Sequence, residues 1–162
     1  MSTLTYYTHP QSRGRIAHWM LEELGEPYHT VWLEYGAAMK SSEYLAINPM
    51  GKVPALRDGA VVVTESAAVC AYLADRFAYK GLAPPLGSAQ RAAYFRWMFF
   101  TAGPLEMASS AKALGWQVPP GREVMVGFGS YERTLDAIEA ALQPGPHVCG
   151  EAFSAADVVL GS

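Results

Sequence analysis

Residues 48–66, NPMGKVPALRDGAVVVTES, constrain this chain more than any other stretch. Val53-Pro54-Ala55-Leu56 is a short apolar run, and Asp58-Gly59 is a turn dipeptide suited to positive φ. Residues 60–64 form a second run, rich in β-branched valine. Two such runs around Asp-Gly predict a β-hairpin. Thr64 is placed to cap a helix that opens at Glu65-Ser66 and runs on through Val69, Tyr72 and Leu73.

This hairpin has unusual chemistry at its base. Pro54 removes a ladder donor, so it suits a strand start or an edge. A Val-Pro bond adopts the cis form for only about 0.5–1 kcal/mol, and a cis bond at Val53-Pro54 would turn strand-forming backbone outward. The Val53 amide and carbonyl would then be open to pair with a short extended peptide, as in strand addition. The N–H groups at the Glu65-Ser66 helix start make a carboxylate site. The Ser66 hydroxyl adds a donor, and Glu65 can accept from an ammonium. Together these suit a small peptide bearing both carboxylates and an amine. The order Asn48-Pro49-x-Gly51-Lys52-Val53-Pro54, hairpin, Glu65-Ser66, helix resembles the glutathione-binding site of cytosolic glutathione transferases.

Composition agrees with a globular chain: 51% of its 162 residues are hydrophobic and 17% charged, enough to bury a core. The net charge of −3 comes with no basic block or stripe, which argues against nucleic acid as a partner. Cys70 and Cys149 lie far apart in no CxxC spacing, which points to a reducing compartment rather than a disulfide scaffold. No apolar run approaches the roughly 18 residues of a membrane helix, and the N-terminus does not read as a signal peptide. His9, His18, His29 and His147 share no helix face, so no metal site is expected.

In chain order, residues 4–7 read as a buried first strand. A turn at residues 8–12 leads to a helix over 13–24, with Ile16, Trp19, Met20 and Leu24 on its core face and Gly25 as its stop. Residues 28–34 alternate as a second strand, 36–42 are loop, and 43–47 a short helical turn ended by Asn48-Pro49. The hairpin and third helix extend to about Phe77. Two strands joined through a helix imply a parallel pair with a right-handed crossover, to which the hairpin adds an antiparallel edge. That β-α-β-α-β-β-α order is thioredoxin-like, the fold that the resemblance implies.

Residues 78–87, AYKGLAPPLG, read as a linker, and only helical patterns follow. Ser88 is placed to cap a helix over 89–100, Gly103-Pro104 should kink or interrupt it, and helix should resume over 105–114. Residues 122–142 read as one further helix, weakened by Gly127 and Gly129. Ser154-x-x-Asp157 is an N-capping pattern with Phe153 as its staple. The expected architecture is therefore α/β plus all-α: a thioredoxin-like domain over 1–77, the linker, and a helical bundle domain over 88–162. Family members usually carry further helices beyond the Ser154 box, so the helical domain is expected to be incomplete.

Transferases of this family lower the pKa of the glutathione thiol, because the thiolate is the nucleophile and a free thiol has a pKa of about 8.5–9. The resemblance implies a donor to sulfur near the start of the first helix, whose partial positive charge favours the anion. Ser12 is the first choice, as in serine-type bacterial members, and helix capping is the competing reading. His9 is the second choice. Thr8, Tyr6 and Tyr7 remain open, the tyrosines also reading as core strand. The resemblance further assigns Val53 and Pro54 to the peptide backbone, Glu65 and Ser66 to one end of glutathione, Lys52 to the glycine carboxylate, and Lys40 to a second carboxylate contact. Cys70 reads as a small buried hydrophobe. Trp97, Phe99, Phe100, Leu105 and Trp116 read as core, dimer contact or second-substrate wall.

The implied protein is a cytoplasmic, homodimeric detoxification enzyme. It takes glutathione as substrate and conjugates it to a hydrophobic electrophile held against the helical domain. The alternatives are a glutathione-dependent disulfide reductase or peroxidase, and a non-catalytic binding module.

Overall fold

The computed structural model describes residues 3–162. The chain divides into two compact units, one running to Leu82 and the other comprising Ala83–Leu160. The first unit has the thioredoxin-like architecture. Strand β1 (Leu4–Thr8) leads through helix α1 (Gly14–Leu24) to β2 (Tyr28–Trp32). A 3-10 turn (Ala38–Lys40) and the short α2 (Ser42–Leu45) then precede β3 (Ala55–Asp58), β4 (Val61–Thr64) and α3 (Ser66–Arg76). The sheet order is β2-β1-β3-β4, with β1 parallel to β2 and the other pairs antiparallel.

Alternation along β1 separates two cores. Tyr6, fully buried, aims its hydroxyl at the start of α1, where it donates to the Gly14 carbonyl and sits 3.0 Å from Thr8 Oγ1. Tyr7 packs on the other side with Met39, Tyr44 and Ala55. Both tyrosines are thus core residues. Burial pushes the Tyr6 phenol far above its ordinary range.

Helix α1 stops where its sequence says it should. Gly25 sits at φ 62°, and its amide donates to the Leu21 carbonyl (3.1 Å). The far end of α3 is locked to the β3–β4 turn, since Asp58 Oδ2 accepts from Tyr72 Oη (3.0 Å) and Arg76 Nε (3.0 Å).

In the second unit, α4 (Gln90–Phe100) and α5 (Glu106–Ala113) are joined by a π-helical turn, Thr101–Leu105. Gly103-Pro104 therefore widens the helix rather than breaking it. A proline lacks the donor for the regular ladder, and a π turn takes up the extra residue. Ser88 does not cap α4: Ala89 is the N-cap residue, and the Ser88 hydroxyl is buried without a hydrogen-bond partner. The expected helix over 122–142 is also shorter. A 3-10 turn (Glu123–Met125) and a loop precede α6 (Tyr131–Leu142), because Gly129 adopts φ 65° and Ser130 Oγ accepts the Arg133 amide (3.2 Å) as a new cap.

The Ser154 box caps α7 (Ala155–Leu160). Asp157 Oδ2 accepts the Ser154 amide (2.9 Å), while Oδ1 accepts the Val148 amide (2.8 Å) and ties the preceding loop to the helix. Tyr94, Trp97, Ala108, Val158 and Val159 form the core of this unit. Trp97 is therefore packing, whereas Phe99 and Trp116 are exposed.

The tightest steric constraint falls at the start of α1. A Cβ on Gly14 would lie 2.0 Å from Thr8 Oγ1 and 2.9 Å from both Ser12 Oγ and the Tyr6 hydroxyl. Gly14→Ala is expected to destabilise the protein by about 1–3 kcal/mol, the scale of overpacking. A urea unfolding midpoint equal to that of the parent protein would contradict this packing.

Candidate functional site

The candidate site is one end of the sheet. In the register, Tyr7 of β1 pairs with Ala55 of β3, and Ala55 pairs with Thr64 of β4. One step beyond that row lie Thr8, Pro54 and Glu65, so three chain segments far apart in sequence converge. A contact between helices closes the group: Ser66 Oγ donates to the Arg13 carbonyl (3.3 Å), joining the start of α3 to the start of α1.

The Val53-Pro54 peptide bond is cis, and strand pairing begins only at Ala55. The Val53 amide and carbonyl have no hydrogen-bond partner among the described residues. The loop ahead of Val53 is held firmly. The Lys52 carbonyl accepts from Tyr44 Oη (2.6 Å) and Asn48 Nδ2 (2.7 Å), and Asn48 Oδ1 accepts the Met50 amide (3.1 Å). Lys40 Nζ donates to the carbonyls of Met50 (2.9 Å) and Gly51 (3.1 Å). Two of the three Lys40 protons thus support the loop. Gly51 sits at φ 57°, and a Cβ there would meet the Met39 carbonyl at 2.5 Å. The Lys52 side chain is exposed on this rigid loop.

At the third segment, Thr64 does not cap α3. It ends β4, and Glu65 takes the N-cap place with φ 70° and ψ 124°, the one positive-φ residue other than glycine among those described. Such a conformation costs on the order of 1–3 kcal/mol and is concentrated at ligand sites. The first bond closing α3 runs from the Val69 amide to the Glu65 carbonyl (2.9 Å). The amides ahead of Val69 therefore have no acceptor within the helix and form an anion seat. The Glu65 side chain is exposed beside that seat.

The β1–α1 loop supplies the candidate donors. Ser12 is partly buried. Its Oγ donates to the His9 carbonyl (2.7 Å) and accepts the Gly14 amide (3.0 Å). The hydroxyl proton is thus spent on a local turn, but rotation about one bond releases it while the Gly14 amide stays in place. His9 is wired differently. Its Nδ1 accepts the Gln11 amide (3.1 Å), its Nε2 lies 3.7 Å from Glu34 Oε2, and its ring packs against that of Tyr35, centroids 4.2 Å apart and planes tilted by 47°. Thr8 is buried with its hydroxyl on Tyr6. Cys70 is fully buried in α3, and desolvation pushes its thiol up to about 12, so it is no nucleophile at neutral pH.

Comparison with known proteins bears on this geometry. Residues 13–76 match the family model "Glutathione S-transferase, N-terminal domain". Glutathione S-transferase 3 of Zea mays is 30% identical over 169 residues, spanning 97% of this chain and 75% of the maize protein. The chain belongs to the glutathione S-transferase family. A solved theta class glutathione S-transferase from Xanthomonas axonopodis pv. citri, with glutathione bound, superposes with TM-score 0.75 at 32% identity, covering 99% of this chain and 80% of that one. The disulfide-bond oxidoreductase YghU of Escherichia coli is 27% identical over 97% of this chain and 58% of its own length.

For a member of this family, the sequence singled out the three converging segments but missed what holds them. Asn48 and Tyr44 clamp the Val53 loop, Gly14 makes room for the Tyr6–Thr8 contact, and Tyr35 braces the β1–α1 loop. Asn48-Pro49 with Gly51 two residues on was a readable turn signal. Nothing near Tyr35 in sequence marks it, because its partner Gln11 is 24 residues away. Among the described residues no helix is long and apolar enough to cross a membrane, and no cluster of His, Cys, Asp and Glu could hold a metal ion.

Proposed function

We propose that this protein is a glutathione transferase that binds glutathione along Val53 and adds its thiolate to small electrophiles. The observation that carries the reading is the unpaired Val53 main chain, held at the same sheet end as the open amides of α3 and the Ser12 hydroxyl. The cysteinyl residue of the tripeptide pairs with the Val53 amide and carbonyl as a short antiparallel strand. The γ-glutamyl carboxylate sits on the α3 N-terminus and Ser66, with Glu65 accepting from its ammonium. Lys52 is free to reach the glycine carboxylate. Lys40 acts mainly behind the site, by holding the Met50 and Gly51 carbonyls.

Ser12 is the thiol-stabilising group of this reading, as in serine-type members. When the thiol arrives, the Ser12 hydroxyl turns from the His9 carbonyl to the sulfur, and the Gly14 amide continues to polarise it. Both donors lie at the start of the 11-residue α1, whose dipole also favours an anion. His9 is the weaker candidate, since Nδ1 is an acceptor here and the remaining nitrogen faces Glu34. A thiolate held this way serves conjugation through its population and its proximity to the electrophile. A cytoplasmic homodimer with a detoxifying role is part of the same reading.

Likeness to the oxidoreductase YghU favours one second reading, reduction of disulfides by the same thiolate. Assays with an activated aryl halide and with a mixed disulfide of glutathione separate the two. Turnover of the disulfide alone replaces the first reading with the second.

Two substitutions test the site. Ser66→Ala is expected to weaken glutathione binding by about 1–2 kcal/mol, the scale of one hydrogen bond to a charged group, as measured by calorimetry. Unchanged affinity would remove the carboxylate from α3. Ser12→Ala is expected to cut kcat roughly tenfold near neutral pH, equivalent to about one unit in the thiol pKa. Because the thiolate becomes the dominant form once pH exceeds that raised pKa, the deficit should shrink in alkaline buffer. A deficit that persists at every pH would assign Ser12 another role.

A further inference from the structure

The loop that carries Ser12 is braced from outside. The Leu33 amide donates to the Thr8 carbonyl (2.9 Å), extending the β1–β2 pairing by one step, so Glu34 and Tyr35 leave the sheet beside His9. Both main-chain groups of Gln11 are then held by side chains. Its amide donates to His9 Nδ1 (3.1 Å), and its carbonyl accepts from the Tyr35 hydroxyl (3.0 Å).

The Tyr35 ring also covers the His9 imidazole at 4.2 Å, leaving the His9 side chain only 11% exposed. An Nδ1 that accepts carries no proton, so the ring N–H lies on Nε2 and faces Glu34. The His9 carbonyl, in turn, accepts from both the amide (3.2 Å) and the hydroxyl (2.7 Å) of Ser12. A chain of contacts thus runs from Tyr35 through Gln11 and His9 to the hydroxyl proposed to meet the sulfur.

We propose that Tyr35 is a positioning residue for Ser12: it fixes the Gln11 peptide and the His9 ring, and so sets where the Ser12 oxygen sits when its hydroxyl turns to the sulfur. The proposal rests on the reading of Ser12 as the thiol contact. Its physical basis is the steep dependence of catalysis on geometry, where a displacement of about 1 Å costs on the order of a hundredfold. Tyr35 touches no reacting atom in this account. Its ring is the wall against which the loop is set.

The test uses the full chain and glutathione itself. The pH midpoint of the bound thiol is read from its ultraviolet thiolate absorbance, and kcat and KM are measured with an activated aryl halide. Tyr35→Phe keeps the ring against His9 and removes only the hydroxyl clasp. It is expected to raise the thiol midpoint and lower kcat at neutral pH by roughly two- to tenfold, the value of one neutral hydrogen bond, with KM for glutathione nearly unchanged. Tyr35→Leu removes the ring contact as well and is expected to shift both further in the same direction. A Tyr35→Phe titration that superposes on that of the parent protein overturns the proposal, and so does a lowered Tm with an unmoved midpoint. Ser12→Ala run in parallel separates the failures. If Ser12→Ala leaves the midpoint unmoved, the Ser12 reading falls. If Ser12→Ala moves it and Tyr35→Phe does not, only the positioning role falls.

Discussion

Antiparallel pairing of β3 with both of its neighbours is the constraint on which the rest of the first unit depends. The row Tyr7, Ala55, Thr64 places the exit of β1, the entry of β3 and the exit of β4 at one edge. A one-residue slip in β1 would turn its side chains to the opposite faces and take the Tyr6 hydroxyl away from the Gly14 carbonyl and Thr8 Oγ1. Register is therefore held by the fit of two different cores, one around Tyr6 (0% exposed) and one around Tyr7 (7% exposed). The site inherits its geometry from that hydrophobic requirement, with no separate device needed to bring the segments together.

What the sheet leaves open, local polar contacts then hold. Asn48, Tyr44 and Lys40 direct their donors at carbonyls of Met50, Gly51 and Lys52, so the loop before Val53 is rigid although its own amide and carbonyl are unpaired. On the proposed reading, a peptide ligand pairs with these open groups. Glu65 follows the same logic, adopting a strained conformation that exposes the α3 amides. Strain and unpaired backbone at one sheet edge, against a fully paired interior, are what a preorganised peptide site requires.

Much of this was legible in the residues. The hairpin, its Asp-Gly turn, the stop at Gly25 and the Ser154–Asp157 box each depend on one or two residues with strong local preferences, and each forms where those residues stand. The failures have physical causes. Ser88 and Thr64 are good capping types, but packing and strand pairing claimed them first, and Ala89 and Glu65 took the caps. The break ahead of α6 was visible in Gly127 and Gly129, yet the apolar repeat outweighed it until Gly129 adopted positive φ. Gly103-Pro104 opened a π turn where a kink was expected, because flanking helices on both sides favour continuation. At the site, residue types named the converging segments. The contacts on which the proposed choice of Ser12 over His9 rests could not be read, since they lie within one short loop or between it and Glu34, in an arrangement that only the fold determines.

We propose that glutathione lies as an added strand on Val53 with its sulfur at Ser12. A crystal structure of the protein with glutathione bound is the decisive experiment. It is expected to show the cysteinyl main chain paired with the Val53 amide and carbonyl, and the sulfur about 3 Å from Ser12 Oγ, hydrogen-bond range. A bound tripeptide that leaves the Val53 main chain unpaired, or whose sulfur faces any other side chain, would contradict it.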